Sequence, residues 1–344
     1  MDINRVNELM SSMNSFGKDA YYKDELLDEL FKLQNEIVAL TFNDEHASTA
    51  NLKIWDVEKH LDKLNQDCGN IADEELKRFK DGSWKLINMI KAEISGHRGE
   101  DKAFYKLDTL NSEHIILKNV ELKDEDQRSE LDAIVITPYG ITIVEVKNSS
   151  RNIFIDEEGN YFRTGEFLKW DCQISQKMDV KEELLRKVLT DVGIKDIKIQ
   201  RIVVFTDNRI QVQNKCENIR TCFSSELTYI IDGFKSEDQI SRGDMDNMEF
   251  LIRYAECKEA YPVGFDVKQY KTDFATLMAI LEEASAKAEE SNAEEVNDVE
   301  HEPVIFLDVL KKIFKSKYTK YAGSAAAGVA VSLLTTAVIG SIRK

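Results

Sequence analysis

Cysteine is scarce and carries no pattern in this sequence. Five occur in 344 residues (Cys68, Cys172, Cys216, Cys222 and Cys257), an odd number without a Cys-x-x-Cys pair. No zinc-site spacing or disulfide framework is suggested, and a reducing cytosol fits. Positive charge is short as well: 46 Lys and Arg stand against 63 Asp and Glu, for a net charge of −17. Coating a nucleic acid relies on neutralising phosphates with Lys and Arg, so a chain this acidic is excluded from that class. The deficit is uneven. Glu282–Glu302 is crowded with carboxylates and holds Lys287 as its one Lys or Arg, whereas the middle of the chain carries Lys118, Lys123, Arg128, Lys147, Arg151, Arg163, Lys169 and Lys177. The amino terminus, Met1-Asp2-Ile3-Asn4, lacks a basic segment followed by an apolar one, which predicts no signal peptide. A hydrophobic share of 42% permits a real core, and the length allows two domains or one with extensions.

The most informative stretch runs from Ser129-Glu130-Leu131-Asp132-Ala133-Ile134-Val135-Ile136 to Ile141-Thr142-Ile143-Val144-Glu145-Val146-Lys147. Two runs rich in β-branched residues flank Thr137-Pro138-Tyr139-Gly140, which suits a type I turn with Pro at its second position and Gly at its fourth. That loop pairs Ile136 with Ile141 and, counting back, Asp132 with Glu145. Directly opposed residues share a face, and Lys147 lies two residues further along it. Two carboxylates held so close repel unless a proton or cation sits between them. With a lysine beside them they suit a Mg²⁺ site next to a phosphate. A three-residue loop with a bulge at Gly140 is the alternative register, and it turns Asp132 to the other face.

Upstream, Gly96-His97-Arg98-Gly99-Glu100 precedes Ala103, Phe104 and Leu107 at helical spacing, and Glu100 shares their stripe, so its carboxylate is expected to point inward. The order Gly-x-x-Gly-Glu, Leu-Asp-Ala-Ile-Val and Glu-Val-Lys-Asn resembles the nuclease-related (NERD) domain family of the PD-(D/E)xK nuclease superfamily, over about residues 95–235. The resemblance implies an α/β fold, a restriction-endonuclease-like core in which a mixed sheet is flanked by helices: helix, three-stranded meander, helix, strand. The residues support each piece, with a helix at 99–110, a strand at His114–Val120, the hairpin, helical periodicity over 171–190 and a strand at Ile197–Phe205. By the same resemblance Glu100, Asp132 and Glu145 are metal ligands for Mg²⁺ or Mn²⁺, and Lys147 orients or helps deprotonate the attacking water. Gln176 matches the family's helix glutamine, although Cys172-Gln173 stands where Asn-Pro often precedes it. The polar stretches Glu121–Ser129 and Asp156–Asn160 read as loops flanking the site.

Residues 1–95 read as a helical bundle. Leu26, Leu30, Leu33, Ile37 and Leu40 form one stripe, Leu76, Phe79, Ile87, Ile90 and Ile94 another. Ile54, Val57, Leu61, Leu64, Cys68 and Ile71 follow coiled-coil spacing, which raises self-association as an expectation. Asn43–Asn51 reads as a turn, residues 96–235 as the nuclease-like domain, 236–282 as closing helices and 283–303 as an acidic linker. Residues 304–320 form a basic amphipathic segment. Tyr321–Ile342 then runs without a charge, long enough as a helix to cross a bilayer, with the lysine cluster before it on the cytoplasmic side. These features lead to a metal-dependent nuclease acting on DNA ahead of RNA. A single-pass C-terminal anchor would tether it to the cytoplasmic face of the cell membrane, in a role such as defence against foreign DNA. The alternative is a catalytically silent, membrane-anchored nucleic-acid-binding or scaffold protein.

Overall fold

The computed structural model describes residues 20–21, 23–42, 51–164, 169–190, 196–237 and 239–295. Residues 43–50 of the turn expected at Asn43–Asn51, the linker beyond 295, the basic segment and the apolar tail lie outside the described residues. Among the described residues no helix is long and apolar enough to cross a membrane.

Three helices open the chain: α1 (Lys23–Phe42), α2 (Ile54–Asp67) and α3 (Asp73–Leu107). Each buries its stripe, Leu30, Leu33, Ile37 and Val38 on α1, Ile54, Val57 and Leu61 on α2, and Leu76, Phe79, Leu86 and Ile90 on α3. At the start of α2 the Lys53 N–H donates to the Asp56 carboxylate at 3.0 Å, satisfying a donor that the helix leaves unpaired. The coiled-coil spacing does not continue as a helix. The chain turns after Asp67 through Gly69 and Asn70, both at positive φ, and Ile71 is 53% exposed. The Asn65 side chain secures that turn, donating to Asp73 at 2.8 Å and accepting the Ala72 N–H at 2.9 Å. The buried part of the seam packs within the chain against α1 and α3.

The third helix crosses the boundary expected at residue 95 without a break. Gly82 and Gly99 serve close packing: a Cβ would stand 2.6 Å from the Tyr270 ring at the first and 2.8 Å from the Cβ of Asn148 at the second. After α3 come β2 (Ile115–Asp124), β3 (Gln127–Thr137) and β4 (Gly140–Lys147), an antiparallel meander that follows a short β1 (Ala20–Tyr21). The Glu121–Ser129 stretch is mostly strand rather than loop, because Glu121 pairs with Glu130 and Leu122 with Ser129. Next come β5 (Ile153–Ile155), β6 (Asn160–Arg163), β7 (Lys169–Gln173), α4 (Ile174–Thr190) and β8 (Ile199–Phe205), the last parallel to β4. Beyond these lie β9 (Val212–Asn214), β10 (Arg220–Phe223), α5 (Leu227–Asp232), α6 (Arg242–Tyr254), β11 (Tyr261–Pro262) and α7 (Val267–Glu295).

The main sheet has the order β10-β8-β4-β3-β2, and a second sheet has the order β7-β6-β5-β9. Alternation along the central strands divides the core into two layers. Ile134, Ile136, Ile141 and Ile143 face one layer with Met178 and Leu185 of α4 and Met248 of α6. Ala133, Val135, Val144 and Val146 face the other with Ala103 and Leu107 of α3 and Leu227 and Ile231 of α5. Tyr270 of α7 stacks on Phe79 at 5.4 Å between ring centroids and shares a 2.9 Å hydrogen bond with Ser83, which joins α7 to α3.

Candidate active site

The site forms where the β3–β4 ladder ends. Ile136 pairs with Ile141, and the ladder runs back to Ala133 opposite Val144. Only Pro138 and Tyr139 are left as the loop, because Thr137 also pairs with Gly140. Gly140 is required there. Its φ is +146° and a Cβ would stand 2.4 Å from the carbonyl oxygen of Lys198. Past the end of the ladder the Asp132 carboxylate accepts the Val146 N–H at 2.6 Å, so a side chain replaces the next backbone bond. Glu145 and Lys147 follow Ile141 and Ile143 on the layer of α4, and Asp132 follows Ile136 and Ile134 on that same layer.

Two ammonium groups close on Glu145. Lys147 donates to Oε1 and Lys181, from α4, to Oε2. Lys181 Nζ also stands 3.5 Å from Asp132 Oδ1, so it lies between the two carboxylates. The cluster is largely withdrawn from water: side-chain exposures are 6% for Glu145, 5% for Lys181 and 15% for Asp132, against 29% for Lys147. Burial would raise the pKa of Glu145, but the ammonium groups of Lys147 and Lys181 outweigh it and hold it near 2. Asp132 moves the other way. Burial and the charge of Glu145 push its pKa up despite the lysines and the Val146 N–H. Lys147 is raised, because the attraction of Glu145 and Asp132 exceeds the burial penalty on its charged form. Burial and these opposed shifts set the cluster apart from a surface ion pair.

An open cavity of about 420 Å³ borders the cluster, lined among others by Asp132, Glu145, Gln176, Lys177 and Lys181. Gln176 and Lys177 are exposed in the first turn of α4. Arg128 also lines the cavity, but its guanidinium is engaged: it bonds to Glu121 and lies over the Tyr261 ring, 4.2 Å from the centroid.

The structure thus brings Asp132, Glu145 and Lys147 together and sets Gln176 at the cavity rim. Glu100 is placed differently. It is buried on α3, one turn before Ala103 and two before Leu107, on the helix that packs against the Val144 and Val146 face of the sheet. Among the described residues no group of three or more His, Cys, Asp or Glu side chains could hold a metal ion. Asn148, the last residue of the Glu-Val-Lys-Asn motif, ties the end of β4 to its neighbours, donating to the Ser95 carbonyl at 2.9 Å and accepting from Thr206 at 3.0 Å. One residue escapes the sequence reading, Lys181. It shares a stripe with Ile174, Met178 and Leu185, and a lysine on an apolar stripe is the same signal that Glu100 gives on α3.

Carboxylate oxygens are the donors a hard divalent cation takes; two of them converge here beside an open cavity, with the Lys181 ammonium between them. Comparison with known proteins agrees with the geometry: residues 95–206, from the last turns of α3 through β8, match the nuclease-related domain family. No curated protein and no solved structure matches the chain. The family match spans 112 of the 344 residues, about a third of the chain, and is consistent with a nuclease-related (NERD) domain protein of the PD-(D/E)xK superfamily.

Proposed function

We propose that this protein is a metal-dependent nuclease that hydrolyses phosphodiester bonds of DNA, with RNA as the second candidate. The observation that carries the reading is the Asp132–Glu145 pair at the border of the cavity, with Lys181 between the two acids and Lys147 on Glu145, inside the segment that matches the nuclease-related family. Asp132 and Glu145 would hold Mg²⁺, or Mn²⁺ in its place, since both take carboxylate oxygens. When bound, such a cation polarises the phosphoryl group and lowers the pKa of water. Lys147, an ammonium on the same face, orients a phosphate oxygen and the attacking water. Gln176 and Lys177 at the rim contact the nucleic acid. Glu100 is the third carboxylate that the family resemblance implies as a ligand, and Glu100→Ala measures what it adds.

The acidic chain is compatible with this activity, because a cation at the site supplies part of the positive charge that phosphate binding needs. The uncharged run Tyr321–Ile342 behind a lysine cluster supports a C-terminal membrane anchor with the nuclease on the cytoplasmic side. Small residues along that run would also allow pairing of two copies. Degradation of foreign DNA near the envelope is the role that suits such an arrangement. One observation favours a second reading, a catalytically silent scaffold: both oxygens of Glu145 already accept from lysines.

A cleavage assay separates the two. Purified protein is incubated with linear, circular and single-stranded DNA and with RNA, in Mg²⁺ or Mn²⁺. Metal-dependent cleavage that is lost in Asp132→Ala and Glu145→Ala supports the nuclease. No cleavage under any condition, or cleavage unchanged by both substitutions, supports the scaffold.

A further inference from the structure

A buried lysine on a helix stripe otherwise made of Ile174, Met178 and Leu185 needs a reason, because an apolar residue there would pack without desolvating a charge. Lys181 meets that cost by pairing with Asp132 and Glu145 together. The charge count of the cluster is the telling feature. Two carboxylates and two ammonium groups, Lys147 and Lys181, already sum to zero. A dication added with both lysines in place would face an uncompensated double charge, and the position it needs, between the carboxylates, is the one Lys181 holds. The two lysines are not equivalent. Lys147 touches Oε1 of Glu145 and is 29% exposed, whereas Lys181 is 5% exposed and bridges both acids. Lys181 also lines the cavity, which offers its ammonium solvent to move into.

We propose that Lys181 is a built-in competitor of the metal: its ammonium holds Asp132 and Glu145 together in the metal-free protein and must leave for a divalent cation to bind both. This rests on the reading of the pair as a cation site. Metal affinity is then set by how readily Lys181 withdraws. An incoming phosphate, itself an anion, would draw Lys181 off the carboxylates and couple substrate binding to metal binding.

The test is a Mn²⁺ titration by calorimetry, without nucleic acid, of wild type, Lys181→Met and Lys181→Gln. Methionine suits the stripe, and glutamine keeps a donor for Glu145 without a charge, so the second variant decides if the first does not fold. Both variants are expected to bind Mn²⁺ at least about tenfold more tightly than wild type, equivalent to about 1.4 kcal/mol, and to melt at a lower temperature in chelator. Binding by the variants with none by wild type would carry the same meaning. Equal or weaker Mn²⁺ affinity in both variants, with wild type binding, overturns the competition and leaves the cation site standing. No Mn²⁺ binding by any of the three overturns the cation site itself, and the competition with it.

Discussion

Replacing Glu145 by alanine should destabilise the metal-free protein more than its place at a strand end suggests. The side chain accepts from Lys147 and Lys181, and the Glu145–Lys181 pair is buried, at 6% and 5% exposure. Removing one partner of such a pair strands the other as a buried charge, a loss of about 3–5 kcal/mol. Lys181 keeps Asp132 at 3.5 Å, which moves the expectation toward the lower end of that range. The contact with the more exposed Lys147 adds within about 1 kcal/mol. Urea denaturation in chelator, followed by far-ultraviolet circular dichroism, reads the change. A double-mutant cycle with Lys181→Met then isolates the pair. If the alanine variant is unstable because Lys181 is stranded, removing Lys181 as well recovers part of the loss, with a coupling of about 1–3 kcal/mol. A Glu145→Ala cost below about 1 kcal/mol, or a strictly additive cycle, would refute the reasoning.

Three other outcomes follow from the same geometry. Gly140→Ala introduces a Cβ 2.4 Å from the Lys198 carbonyl at φ +146°; it should cost at least about 1–3 kcal/mol in thermal denaturation, and a neutral result contradicts the turn. Gly99→Ala drives a Cβ to 2.8 Å from that of Asn148. A loss of about 1–3 kcal/mol is expected, with faster hydrogen exchange where α3 meets the end of β4. In acid, Glu145 has a folded-state pKa near 2 against an ordinary 4.5, so its contribution is complete above pH 4.5 and is lost as pH falls toward 2. Glu145→Gln should therefore flatten the acid limb of melting temperature against pH in chelator. Asp132, whose pKa is raised, contributes with the opposite sign, its share being lost as pH rises through its folded value.

What could be read from the sequence was local and periodic. Pro138 and Gly140 fix the hairpin by turn chemistry, and the turn carries the register through to Ala133 and Val144. The stripe of α4 shows in Ile174, Met178, Leu184, Leu185 and Leu189. The helix starts at Ile174 rather than at residue 171, because residues 171–173 belong to β7, which pairs with β6, Asn160 opposite Gln173. The second sheet was not legible at all. Its strands are three to five residues long, and the parallel pairing of Ile153 with Val212 joins segments far apart in sequence. The Glu121–Ser129 stretch looks like a loop because its polarity is satisfied at long range. Glu121 takes Arg128, whose guanidinium rests on Tyr261, more than a hundred residues away. Lys181 was legible by position but not by role, since its partners lie on two other elements, β3 and β4. The face of the sheet that α3 covers is likewise settled only by packing, and it decides where Glu100 stands.

The central claim is that Asp132 and Glu145 hold the cation on which hydrolysis depends. The most direct measurement follows cleavage of a labelled DNA duplex and protein-bound Mn²⁺, by electron paramagnetic resonance, in the same samples of wild type and Asp132→Ala. The account predicts that cleavage and bound Mn²⁺ rise together in wild type and are lost together in the variant. Undiminished cleavage by Asp132→Ala, or unchanged Mn²⁺ binding by it, would contradict the account.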